Sequence, residues 1–290
     1  MNSILRATTE NQEVRAFVAQ TRDLVNEAAR RHYTTPVASA ALGRLLTSGA
    51  MLGVTLKGED DLITLTIKGD GPIDSIVVTV DGAGHVKGYV NNPFVEIPTK
   101  ENGKLDVSGA VGAGMLTLIR DYGLKEPYIG QCELVSGEIA EDLTYYFASS
   151  EQTPSVVALG VLVDKDYTIK QSGGFIIQLM PGATDETISI IEKNIREIES
   201  VTAMFEAGLE SEDILNKILS GLEPKVLEIT HPEFFCNCSK ERVEKALISI
   251  GKKDISEMIQ EGEPIEMKCH FCNETYTFTV DELQTIKDSL

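Results

Sequence analysis

Four of the five cysteines in this sequence fall into two close pairs near its end, Cys236-Asn237-Cys238 and Cys269-His270-Phe271-Cys272, with thirty residues between the pairs. Thiolates are soft donors. Four of them complete the closed tetrahedral shell that Zn²⁺ accepts and that hard cations such as Mg²⁺ or Ca²⁺ do not. The residue types and spacing therefore predict one Zn²⁺ per chain, held by Cys236, Cys238, Cys269 and Cys272. A shell made of four thiolates has no open position for water or substrate, which argues against hydrolysis at the metal.

Two chemistries remain open for such a site. One is a permanent structural zinc in a ribbon-like protein-interaction module, and HFCNETYTF has the turn and aromatic-rich strand of a zinc-ribbon knuckle. The other is a reversible switch. The leading pair is CxC rather than CxxC, and a disulfide closed over so short a ring is strained and contributes little chain-entropy stabilisation. Strained disulfides are the labile, regulatory ones. A structural zinc contributes on the order of 10–16 kcal/mol of apparent binding free energy. A small domain draws only about 3–5 kcal/mol from its own core. Oxidising the thiolates would thus remove the fold together with the ligands. Lys240, Arg242 and Lys268 lie near the cysteines and are candidates to offset the charge of a four-thiolate site. Cys132 lies apart and reads as a small buried apolar residue in a strand.

The elements that must position these groups follow from periodicity. Residues 1–21 read as two strands around TTENQE, residues 21–32 as a helix, and Pro36 opens a second, Ala- and Gly-rich helix suited to a core. From Asp61 to about Met180 the pattern is that of strands separated by GDGP, DGAG and NNP turns, with LTYYFASS read as a strand and SEQTPSVVALGVLVD as a short helix leading into one. Pro181-Gly182 marks a boundary. Thr184 then caps a helix carrying Ile188, Ile191, Ile195, Ile198 and Phe205 at helical spacing as far as Gly208, and Ser211 caps a second one. These two helices need a surface to cover, or one to bind. The cysteine segment holds two helices, a hairpin and a terminal helix. The expected fold is α+β: a mixed α/β core domain with a large β-sheet (1–181), a helical linker (182–223) and a small four-cysteine zinc domain (224–290).

Composition narrows the function. At 42% hydrophobic and 24% charged the 290-residue chain is globular. Its net charge of -19, densest after Met180, makes nucleic acid and anionic membranes poor partners. No apolar run spans a bilayer, and the first residues lack a signal-peptide pattern, so a cytoplasmic protein with reduced thiols is expected. His32, His85, His231 and His270 show no metalloprotease spacing. There is no phosphate loop or catalytic triad pattern either, and no enzymatic activity is expected.

The CNC pair, the thirty-residue gap and CHFC, together with RHYTTPVASAALGRLL, PYIGQCELVSGEIAEDLTYYFASSEQTPS and GGFIIQLMPGA, resemble the thirty-three-kilodalton chaperonin family over nearly the whole chain. These are bacterial redox-activated heat-shock holdases. The resemblance implies an ATP-independent chaperone that is inactive while reduced and zinc-bound. On oxidation it implies disulfides Cys236–Cys238 and Cys269–Cys272, zinc release, unfolding of the C-terminal domain and destabilisation of the linker. The linker, with Ile188, Ile191, Ile195, Ile198 and Phe205 as candidate contacts, and the nearby core surface would then hold unfolding client proteins. A homodimer is implied for the active form.

Overall fold

The computed structural model describes residues 2–290 and divides into two compact units, one ending at Phe235 and the other comprising Cys236–Leu290. In chain order the first unit contains β1 (Ser3–Thr9), β2 (Val14–Gln20), α1 (Arg22–His32), α2 (Pro36–Gly53), β3 (Leu62–Gly69), β4 (Ser75–Asp81), β5 (His85–Val90), α3 (Val107–Val111), β6 (Gly114–Asp121) and β7 (Tyr128–Glu133). It continues with α4 (Ala140–Ser149), β8 (Ser155–Val163), β9 (Ile169–Leu179), α5 (Asp185–Arg196), α6 (Val201–Glu206), α7 (Ser211–Ile218), β10 (Pro224–Thr230) and β11 (Glu233–Phe234). The strand-rich region forms two sheets, ordered β10-β1-β2-β9-β8 and β11-β5-β4-β3-β6-β7.

Helix α2 lies against strands of both sheets and is buried on nearly every face. Its small residues make that possible. A side chain at Gly43 would collide with Val25 and Val161, and one at Gly49 would sit 2.9 Å from Val78. The inner strands β2 and β9 of the five-stranded sheet are buried on both faces, and the period of two sends alternate side chains to opposite sides. Phe17 and Ala19 of β2 face the cluster around α2, whereas Val14, Ala16 and Val18 face a second cluster. That second cluster is closed by α5–α7 through Ile191, Val201, Met204, Phe205, Ile214, Leu215 and Ile218.

The linker helices are therefore docked. Ile191 and Phe205 are fully buried, Ile195 and Ile198 pack at the edge of the same cluster, and Ile188 is partly buried. The start of α5 is anchored by the β1–β2 turn: the Thr184 N–H (3.1 Å) and hydroxyl (2.9 Å) donate to Glu13, as does the Thr187 hydroxyl. These hydrogen bonds hold the Glu13 carboxyl below its ordinary range. At the other end the Asn194 side-chain amide donates to the Ile218 and Ser220 carbonyls.

Several sequence expectations are corrected. The helix expected from 184 to 208 breaks after Arg196, because the Ser200 hydroxyl accepts from the Ala203 N–H and starts α6 anew. Glu210 rather than Ser211 precedes α7, and its N–H donates to Asp213. LTYYFASS is helical (α4), and SEQTPSVV runs directly into strand β8 without a helix. Residues 224–230 were expected with the cysteines. They form β10 instead, pairing antiparallel with β1 from Ile4↔Thr230 to Thr9↔Pro224, so this stretch satisfies a sheet edge of the first unit.

The second unit contains α8 (Lys240–Ile250), α9 (Lys252–Glu261), β12 (Ile265–Lys268), β13 (Thr275–Phe278) and α10 (Val280–Asp288), as its sequence pattern predicts. Leu247, Ile255, Phe278, Leu283 and Ile286 form its core. Among the described residues, no helix is long and apolar enough to cross a membrane.

Candidate metal centre

The second unit begins at the first thiol. Ser239, directly after Cys238, caps α8 by accepting from the Arg242 N–H, which fixes where the CNC segment enters the helix. Lys240 Nζ lies 2.6 Å from Glu282 Oε1 and 5.0 Å from the centre of the Phe278 ring. Glu282 in turn closes the capping box with Thr279 at the start of α10. Lys240 thus ties the flank of the first thiol pair to the last helix and does not pair with the thiols. Arg242 and Lys268 are exposed.

The second thiol pair sits on the turn between β12 and β13. The Cys269 N–H donates to the Glu274 carbonyl at 2.9 Å, and the Asn273 N–H to the Cys269 carbonyl at 2.8 Å. Asn273 adopts φ 65°, a left-handed conformation that asparagine tolerates better than most residues. The turn lets the Glu274 N–H donate to the Cys272 sulfur.

Together these constraints place the four sulfurs within 4.8 Å of one another. Cys236 Sγ lies 3.8 Å from Cys269 Sγ, and Cys238 Sγ lies 3.2 Å from Cys272 Sγ. A tetrahedral shell with Zn–S near 2.3 Å has sulfurs about 3.8 Å apart, so this donor set fits the ion after small side-chain adjustments. None of the four is joined in a disulfide; Cys272 is buried and the other three are partly buried. His270 is exposed and does not belong to the group. Burial pushes the Cys272 thiol up. Burial acts in the same direction on Cys238, but hydrogen bonds from the Tyr276 hydroxyl and the other thiols outweigh it and hold Cys238 below its ordinary value.

Comparison with known proteins settles the relationship. The family model described as Hsp33 protein matches residues 2–279. The chain belongs to the Hsp33 family. It is 54% identical over 284 residues to the 33 kDa chaperonin of Agathobacter rectalis, covering 98% of this chain and 99% of the relative. It is likewise 54% identical over 284 residues to the 33 kDa chaperonin of Clostridioides difficile, covering 98% of this chain and 97% of the relative. Its fold is similar to the crystal structure of the Hsp33 homologue from Thermotoga maritima, with a TM-score of 0.93 at 39% identity over 99% of this chain and 98% of the other.

Membership of the Hsp33 family carries a chaperone function and hence the binding of client proteins; the relatives' names denote chaperonins, not enzymes. The sequence did not single out Tyr276, whose hydroxyl lies 3.1 Å from Cys238 Sγ. The aromatic-rich strand after CHFC was the available signal, but only folding shows which ring reaches a sulfur. Asp142 was also missed. It is fully buried and accepts from the N–H groups of Val135, Ser136, Gly137 and Ile139, building the entry to α4. Its signal was two acidic residues, Glu141 and Asp142, in a first helical turn. Cys132 of this Hsp33-family chain lies on β7, buried in the main core, where burial and the Asp142 carboxylate push its thiol up to about 11. A thiol so held is inert at neutral pH.

Proposed function

We propose that this chain is a redox-regulated, ATP-independent holdase. Its resting state binds one Zn²⁺ through Cys236, Cys238, Cys269 and Cys272, and oxidation of those thiols turns on client binding. The observation that carries the reading is the convergence of four sulfurs within 4.8 Å in a unit with only a small apolar core. When bound, the metal cross-links the two ends of that unit and keeps its thiolates deprotonated.

Each thiolate pair gives two electrons to an oxidant such as hydrogen peroxide, which becomes two waters after taking up two protons, and one disulfide forms. Pairing between chain neighbours, Cys236 with Cys238 and Cys269 with Cys272, closes very short loops that restrain the unfolded chain little. Pairing across the unit would close a loop of more than thirty residues and contribute about 3–4 kcal/mol toward keeping the unit folded. Either pairing removes the ligands and releases the metal; neighbour pairing, which the family resemblance implies, is the one that leaves the unit free to unfold. The helical linker, 182–223, then loosens. Ile188, Ile191, Ile195, Ile198, Phe205 and the sheet face beneath them become the surface for unfolding proteins, in a chain that pairs as a homodimer when active. The acidic, span-free sequence supports a cytoplasmic site of action without nucleic-acid or membrane partners.

The test measures zinc content, thiol state with disulfide mapping, and suppression of client aggregation, before and after peroxide with mild heat or hypochlorous acid. One zinc lost per chain, neighbour disulfides and new suppression are expected. If the oxidised, zinc-free protein leaves client aggregation unchanged, the reading fails and a permanent structural zinc module takes its place.

A further inference from the structure

The hydroxyl of Tyr276 is a side-chain donor placed on the sulfur cluster. Its oxygen lies 3.1 Å from Cys238 Sγ, and Cys238 is also the thiol 3.2 Å from Cys272 Sγ. The position is built into the hairpin. Tyr276 pairs with Met267 across β12 and β13, and it shares a face of β13 with Phe278, which is buried in the core. The ring of Tyr276 packs at the edge of that core while its hydroxyl reaches beyond it to the sulfur. Four thiolates around a divalent ion leave two negative charges uncompensated. The lysine best placed in sequence to offset them, Lys240, is engaged with Glu282.

We infer that Tyr276 is a positioning residue of the switch: its hydroxyl donates a hydrogen bond to the Cys238 thiolate and thereby sets how tightly the metal is held and how readily that sulfur meets an oxidant. The inference rests on the metal–thiolate reading above. A thiolate cannot donate, so in the metal-bound state the hydroxyl must. Outer donors of this kind orient ligands and tune the metal, and their loss typically weakens affinity about 10–100-fold. Withdrawing charge from sulfur also lowers its nucleophilicity, so the same bond restrains oxidation.

The experiment compares wild-type protein with Tyr276→Phe, which keeps the ring and removes the donor. Chelator competition under reducing conditions should show about 10–100-fold weaker zinc binding. Peroxide should release zinc faster from the variant. In the Co²⁺-loaded proteins the sulfur-to-metal charge-transfer band should move to lower energy, a signature that loss of packing alone does not produce. In wild-type protein loaded with cadmium-113, the Tyr276 hydroxyl proton should be protected from solvent exchange. That measurement stands even if the variant fails to fold. Equal affinity, release rate and band position in the two proteins, or an unprotected hydroxyl proton in the wild type, overturns the role of Tyr276. Those results leave the switch intact if wild-type protein still binds zinc and loses it on oxidation. Wild-type protein that binds no metal ends both.

Discussion

Among the described residues, Leu247, Ile255, Phe278, Leu283 and Ile286 make up the buried apolar core of the C-terminal unit. The unit ending at Phe235 buries forty such residues around α2 and sixteen more beneath α5–α7. The placement of sulfur runs the other way. The large unit has one thiol, sealed in a strand, and the small unit has four gathered at one point. A large core tolerates the loss of any one contact, whereas a small one depends on its cross-link. Under the proposed switch, an oxidant that touches only sulfur would act on one unit and spare the other. On the proposed reading, that selectivity would let the chain unfold one unit and keep the other as a scaffold.

The sharpest way to break this contrast is to remove the metal. Stripping zinc from the reduced protein, or introducing Cys272→Ser, withdraws on the order of 10–16 kcal/mol from a unit whose core supplies about 3–5 kcal/mol. Hydrogen exchange should then show residues 236–290 losing protection while β1–β9 keep theirs. A C-terminal unit that stays protected without metal would erase the distinction between the units.

Next in size are matched core deletions. Phe278→Ala and Phe17→Ala each remove a fully buried ring, at a cost of about 3–5 kcal/mol. In the small unit that loss should appear as weaker zinc affinity. In the large unit it should lower the thermal midpoint and leave zinc affinity unchanged. Equal effects on zinc binding would mean that the two units are not energetically separate.

A smaller effect probes the docked helices. A side-chain carbon at Gly160 would lie 2.8 Å from Thr202 Cγ2 in α6. Gly160→Val should strain that seat by about 1–3 kcal/mol. Exchange in α5–α7 should accelerate, and the reduced, metal-bound protein should begin to suppress client aggregation. Faster exchange without suppression would separate the linker from client binding.

The smallest effect concerns Glu13. Its carboxyl is held below the ordinary value of 4.5 by the hydroxyls and N–H at the start of α5. With the folded value depressed, the anchor's contribution is present above the ordinary value and is lost as pH falls through the depressed one. Glu13→Gln should speed exchange at 185–196 by less than about tenfold at neutral pH. The gap to wild type should close in acid, and a gap that persists below the folded value would place the anchor elsewhere.

Much of this was legible in one dimension because its causes are local. The spacing of CNC and CHFC, the helix-forming stretches between them, the proline opening α2 and the turn-punctuated strands all follow from chemistry within a few residues. Where local preference competed with tertiary context, the reading failed. LTYYFASS has strand-like composition, yet it becomes helix α4 because Asp142 collects four backbone N–H groups from the turn before it. Residues 224–230 follow the linker in sequence, yet they join β1 because an open sheet edge was available.

By itself, the sequence determined which atoms can hold a metal, that the isoleucine stripe of the linker needs a partner surface, and that the last segment carries little apolar material of its own. Only the tertiary structure decided that the partner surface is the outer face of the five-stranded sheet, that the sulfurs of the two pairs interleave, and that Tyr276 is the ring whose hydroxyl meets Cys238. The physical reason is range. Ligand chemistry and helical periodicity are properties of neighbouring residues, whereas a hydrogen bond across 38 positions exists only after packing has brought its ends together.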